Sequence, residues 1–120
     1  MLPFRVGQQT LDFLRLIGAD AAAALETLVP VDVVDLAVGK QRYALFTNSA
    51  GGILDDLMVA RRANDLFVVV NAARKEADTK HLITHIGHRC QVVSMPERAL
   101  LALQGQKAVV ALSRLADGVA

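Results

Sequence analysis

Two adjacent carboxylates, Asp55 and Asp56, sit in the middle of GGILDDLMV, an apolar run that reads as a strand. Aspartate is a poor strand former, and a buried carboxylate without a partner is costly. Strand side chains alternate between faces. The two aspartates therefore point to opposite sides and cannot form a dyad with each other. Leu54, Asp56 and Met58 share one face; Ile53, Asp55, Leu57 and Val59 share the other. Each carboxylate has apolar neighbours, so at least one face turns to a core or a pocket. Two readings stay open. One aspartate faces water while the other accepts hydrogen bonds from loop amides. Alternatively, a carboxylate lies in an apolar pocket, set to bind a polar ligand atom or act on a proton.

Other side chains have chemistry to offer. Asn71 ends the run LFVVVN just ahead of a helical pattern. It could cap that helix or read the edge of a heterocycle with its donor and acceptor. Tyr43, the only tyrosine, shares a face with Gln41 and Leu45. It is either a core aromatic with its hydroxyl at the surface or part of a ring-binding wall. His81 and His85 are four apart and would share a helix face, as zinc ligands often do. Leu82 follows His81 where the zinc-protease pattern needs glutamate, and Gly87 ends the helix before His88. The expectation is a solvated histidine face and no metal. Cys90 opens a short apolar strand with no partner base and reads as a buried small residue.

The elements that must position these groups follow from pattern. TLDFLRLIG alternates as a strand. GADAAAALETLVP is helical, with Asp20 near its start and Pro30 at its end. VDVVDLAVGK has no clear period. QRYALFTN and ILDDLMVARR form a hairpin across the loop residues NSAGG. LFVVVN, rich in β-branched residues, reads as a strand buried on both faces. AARKEADTKHLITHIG is a helix with Ala73, Ala77, Leu82 and Ile86 inward and Lys75, Glu76 and Lys80 outward. CQVVSM and ALLALQ are short strands, and KAVVALSRLADGV closes as a helix that runs almost to the last residue. The order predicts an α+β fold with a largely antiparallel sheet and flanking helices, in a single domain over residues 1–120.

Composition narrows the function classes. The 120 residues are 53% hydrophobic, which excludes a disordered chain. The 13 basic and 12 acidic side chains nearly cancel, so nothing points to nucleic acid or to a membrane surface. No apolar stretch is long enough to span a bilayer, and the N-terminus does not read as a secretory signal. A single cysteine leaves no internal disulfide. A reducing compartment follows: the cytoplasm of a bacterium, or the mitochondrial matrix in a eukaryote.

Several separated blocks resemble one family in its own order. GKQRYALFTNSAGGILDDLMV, LFVVVNAARKEAD and RALLALQGQKA, with the earlier GADAAAALETLVPVDVVDL, are similar to the T-protein of the glycine cleavage system, an aminomethyltransferase. The resemblance runs from about Leu14 onward. It implies a partial aminomethyltransferase folate-binding fold. It implies transfer of a one-carbon unit from the aminomethyl-lipoyl arm of the H-protein to tetrahydrofolate as co-substrate, with release of ammonia. By the same resemblance Asp56 is the catalytic, folate-orienting carboxylate, and Tyr43 and Asn71 are folate contacts. Met58 and Val69 fall on apolar walls of the pocket.

The departures carry expectations too. T-proteins are much longer, so residues 1–120 read as a truncated fragment of the folate-binding region, prone to self-association and without transferase activity alone. Gln106 stands in LQGQ where the family has proline, which softens the start of the last helix. Two other readings remain: the folate-binding domain of a dimethylglycine or sarcosine dehydrogenase, and a non-catalytic folate-binding relative.

Overall fold

The computed structural model describes residues 5–8 and 11–119. The chain divides into two compact units. The larger, from Thr10 to Arg98, is built on five strands: Leu11–Ile17 (β2), Gln41–Thr47 (β3), Ile53–Arg61 (β4), Leu66–Asn71 (β5) and Gln91–Ser94 (β6). They lie in the order β3-β4-β5-β2-β6, every neighbouring pair antiparallel. Two helices belong to this unit, Ala21–Glu26 (α1) and Lys75–Ile86 (α2), the latter entered through a 3-10 turn over Ala72–Arg74. The α+β class and the antiparallel sheet agree with the sequence pattern.

The smaller unit pairs Arg5–Gln8 (β1) antiparallel with Leu101–Gln104 (β7) and adds helix Ala108–Ser113 (α3). That last helix is shorter than its pattern suggests. The Ser113 hydroxyl donates to the Val110 carbonyl at 2.9 Å, a local bond that competes with helix propagation. Gly118, at φ +76°, turns the chain beyond it.

One face of the five-stranded sheet builds the core. Leu14 and Leu16, Ala44 and Phe46, Leu57 and Val59, and Val68 and Val70 are all buried. Ala24 and Leu25 of α1 and Leu82 and Ile86 of α2 belong to the same cluster, with Val33, Leu36 and Cys90. The stretch VDVVDLAVGK is neither helix nor strand. It is organised instead by Glu26, whose Oε2 accepts from the amides of Val33 and Val34 at 2.9 and 2.8 Å. Val33 and Leu36 can then enter the core without regular structure to satisfy their neighbours.

Three expectations from pattern are corrected. LFVVVN is not buried on both faces: Leu66, Val68 and Val70 are buried, whereas Phe67, Val69 and Asn71 are half-buried. The inward stripe of α2 is Asp78, Leu82 and Ile86, while Ala73 and Ala77 are exposed. A helical period tolerates either assignment for small alanines, and packing turned Asp78 inward in line with Leu82 and Ile86. His85 and His88 are exposed, whereas His81 is half-buried rather than fully solvated. It packs edge-on against Phe46 at 5.2 Å between ring centroids, with His85 4.6 Å beyond.

Candidate functional site

The NSAGG loop sets up the site. Asn48 Oδ1 accepts from the amides of Ala50 and Gly52 at 3.0 and 2.8 Å. Gly51 takes φ +78°, a conformation that favours glycine. A side chain at Gly52 would meet the Asn48 amide at 3.0 Å. The returning strand carries a bulge: Phe46 pairs with Asp55 but Thr47 pairs with Ile53. Leu54 is the extra residue, and such a bulge re-aims neighbouring side chains. Strict alternation therefore fails at the strand's start. Ile53 is exposed rather than inward with Leu57 and Val59. From Asp55 onward alternation holds.

On the face away from the core, the register lines up two rungs. Tyr43, Met58, Val69 and Phe13 form one, through the pairs Tyr43 with Met58, Met58 with Val69 and Val69 with Phe13. The next contains Leu45 opposite Asp56 and Leu11 opposite Asn71. Tyr43, Asp56, Met58, Val69 and Asn71, singled out from the sequence, are thus brought together on one sheet face. Tyr43 is 57% exposed. Its hydroxyl donates diagonally across the ladder to Asp56 Oδ2 at 3.2 Å. Desolvation beside the sheet, and then the Asp56 charge, hold the phenol above its ordinary value.

Asn71 occupies the N-cap position of the 3-10 turn yet makes no capping bond. Its Nδ2 donates to Asp56 Oδ1 at 2.9 Å and to Asp55 Oδ1 at 3.0 Å. Two carboxylates around one amide settle its orientation, because the amide oxygen there would face only acceptors. The two aspartates leave the backbone on opposite sides but share this donor. Their roles are coupled, contrary to the separate explanations that alternation suggests.

Among the described residues no cation reaches Asp56 within ion-pair distance. Asp55 is half-buried. Desolvation pushes its pKa up, but bonds from the Asp78 carboxyl, the Asn71 amide and the Asp56 backbone amide, with the Arg74 charge, bring it below the ordinary value.

Asp78 is a residue that sequence reasoning passed over. It is only 3% exposed. Burial first, then bonding and repulsion from Asp55, raise its pKa to about 7. The signal was present in the sequence: Asp78, Leu82 and Ile86 are spaced by four, which puts a carboxylate on the apolar stripe of a helix. The remaining candidates stand apart from this site. Burial, and then its neighbour His85, lowers the pKa of His81. Cys90 is buried, with its thiol pushed up by desolvation. No cluster among the described residues has the makings of a metal site.

An antiparallel sheet covered by helices on one face, with a carboxylate held by neutral donors on the other, defines the class of domain. The chain belongs to the GCVT N-terminal domain family, whose model matches residues 6–120. The match starts ahead of Leu14, where the resemblance legible in the sequence begins. The chain is 38% identical over 102 residues to an aminomethyltransferase of Alcanivorax borkumensis, covering 84% of this chain and 28% of that protein. It is 38% identical over 109 residues to a mitochondrial aminomethyltransferase of Flaveria anomala, covering 85% and 27%. The crystal structure of the glycine cleavage system aminomethyltransferase T from Bartonella henselae superposes with a TM-score of 0.86 at 34% identity, over 92% of this chain and 31% of that one. The chain thus spans less than a third of the length of these relatives, which include bacterial and mitochondrial proteins. Among the described residues no helix is long and apolar enough to cross a membrane.

Proposed function

We propose that this chain forms part of the tetrahydrofolate site of a glycine cleavage aminomethyltransferase. In that reaction the aminomethyl group on the lipoyl arm of the H-protein gives its one-carbon unit to tetrahydrofolate. Ammonia leaves, and 5,10-methylenetetrahydrofolate and reduced lipoate remain. Asp56 is the catalytic carboxylate. It orients the folate and raises the nucleophilicity of a folate nitrogen by accepting from it. Tyr43 and Asn71 hold the two Asp56 oxygens and contact the pterin, and Met58 and Val69 form the apolar wall.

The observation that carries this reading is the state of Asp56. Tyr43 and Asn71 each take one of its oxygens, and no cation among the described residues neutralises it. A carboxylate fixed by neutral donors keeps its charge for a ligand N–H. The adjacent rung supplies an apolar surface on which a flat ring can lie.

Two measurements test it. Tetrahydrofolate added to the isotope-labelled chain should shift the amide resonances of Tyr43, Asp56, Met58, Val69 and Asn71. In a full-length context Asp56→Asn should lower transfer by about 100-fold or more, the scale of a lost acid–base group, while the fold survives. Shifts confined to other residues, or undiminished transfer, would refute the assignment.

A further inference from the structure

Beneath the site, two buried oxygens have no donor. Asp55 Oδ2 and Asp78 Oδ2 are both inaccessible and both lack a hydrogen-bond partner. Yet the carboxyls of β4 and α2 lie within bonding reach of each other. Two ionised carboxylates in contact away from water are strongly unfavourable. A single proton between them removes the repulsion and satisfies both orphaned oxygens at once.

We propose that Asp55 and Asp78 share one proton, Asp78 as acid and Asp55 as carboxylate, and that this pair is a positioning device for Asn71 and, through it, Asp56. The chain of bonds is continuous. Asp78 donates to Asp55; Asp55 Oδ1 accepts from Asn71 Nδ2 at 3.0 Å; the same Nδ2 donates to Asp56 Oδ1 at 2.9 Å. Helix α2 is thereby tied to the far side of the sheet through the β4–β5 ladder. Its consequence for ligand binding rests on the folate reading of Asp56; the shared proton does not.

The charged groups around the pair are accounted for. Asp56 on β4 favours the proton on Asp78, and Arg74 in the 3-10 turn opposes it. Lys75, at the start of α2, is engaged by Asp12 of β2 at 3.2 Å. His81, one turn along α2, packs on Phe46. Desolvation leads, so Asp78 is the member that stays protonated, up to about neutrality. The pair titrates as a unit, with its two steps driven apart.

Carboxyl carbon resonances of the labelled chain, followed against pH, test this without any ligand. One aspartate should titrate near neutrality and another below the ordinary range. The Asn71 side-chain amide should shift with the same upper midpoint. Asp78→Asn supplies a permanent donor in place of the acid. It should keep the Asn71 resonances in their low-pH position and abolish the neutral step. Asp78→Leu should displace them at every pH. Asp78 and Asp55 both titrating in the ordinary carboxylate range would overturn the proposal. So would Asp78→Asn and Asp78→Leu moving Asn71 alike. Tetrahydrofolate binding to the wild type should weaken as the pH rises through the same midpoint and should be flat in Asp78→Asn. Failure of that last arm alone, with the ligand-free titration as expected, overturns the positioning role and leaves the shared proton standing.

Discussion

Strands β4 and β5 carry an aspartate cluster at each end, and the two clusters are built on opposite plans. At one end Asp65 is buried between guanidinium groups. Arg62 Nε and Nη2 donate to its two oxygens at 2.6 and 2.7 Å, and Arg15 Nε adds a bond at 2.6 Å. The Arg62 bonds, ahead of the opposing desolvation, hold its carboxyl below the ordinary value. Arg62 also covers the Phe67 ring at 4.9 Å, and Phe67 stacks on Phe13 at 5.1 Å. At the other end Asp55 and Asp56 share one asparagine amide, Asp78 lies against Asp55, and Arg74 is the nearby cation. The first cluster is electrostatically closed and ties strands together. The second retains unneutralised acceptor capacity beside an apolar rung. The carboxylates at the two ends of this strand pair are therefore not one phenomenon. What distinguishes them is whether their partners are cations or neutral donors.

The contrast can be broken from either side. Asp65→Asn should cause the largest loss of stability. Removing one member of a buried ion pair costs about 3–5 kcal/mol. Both arginines are about one-third exposed here and can turn to water, so about 2 kcal/mol by urea denaturation is the expected loss. Cations depress the Asp65 pKa, so this stability is present above the ordinary carboxylate range and is lost as the pH falls through the depressed value. The gap between wild type and variant should narrow in acid; a gap constant from neutral to strongly acid conditions would contradict the closed-cluster account. Ligand shifts at Tyr43 and Asp56 should be unaffected.

Asn71→Leu attacks the other end. It removes one donor from two carboxylates and should cost about 1–2 kcal/mol in thermal or urea unfolding. It should also abolish the tetrahydrofolate-induced shifts. Retained ligand response in a folded Asn71→Leu protein would show that the shared amide is dispensable. Tyr43→Phe should have the smallest effect. Its bond is exposed, so stability should change by less than about 0.5 kcal/mol, with only a few-fold weaker ligand affinity. A clear drop in melting temperature would mean that Tyr43 belongs to the framework rather than the site.

How legible each end was differs for a physical reason. The hairpin from Gln41 to Arg61 and the strand at Leu66–Asn71 follow from local period and turn chemistry, both short-range. Alternation placed Asp56 with Met58 and, separately, Tyr43 with Leu45; only the family resemblance joined the two strands' residues into one site before the register showed them on one face. The bulge at Leu54 escaped, because nothing in the run ILDDLMV marks an extra residue. Asp78 escaped because a helix stripe is judged by its apolar members, and the alanines offered a competing stripe. Asp65 was read only as a turn residue; its partners, Arg15 and Arg62, lie fifty and three residues away.

The sequence by itself determined the main element types and the antiparallel hairpin, because these depend on spacing along the chain. Tertiary structure alone decided which carboxylates are neutralised. That choice rests on groups from β2, β4, β5 and α2 meeting within hydrogen-bond distance, and the energy of a charge depends on that surrounding rather than on its neighbours in sequence. Asp55 and Asp56 lie in β4, and Asp65 in the turn that leads from β4 into β5. Two share an amide and one is clasped by arginines, and only the packed fold distinguishes them.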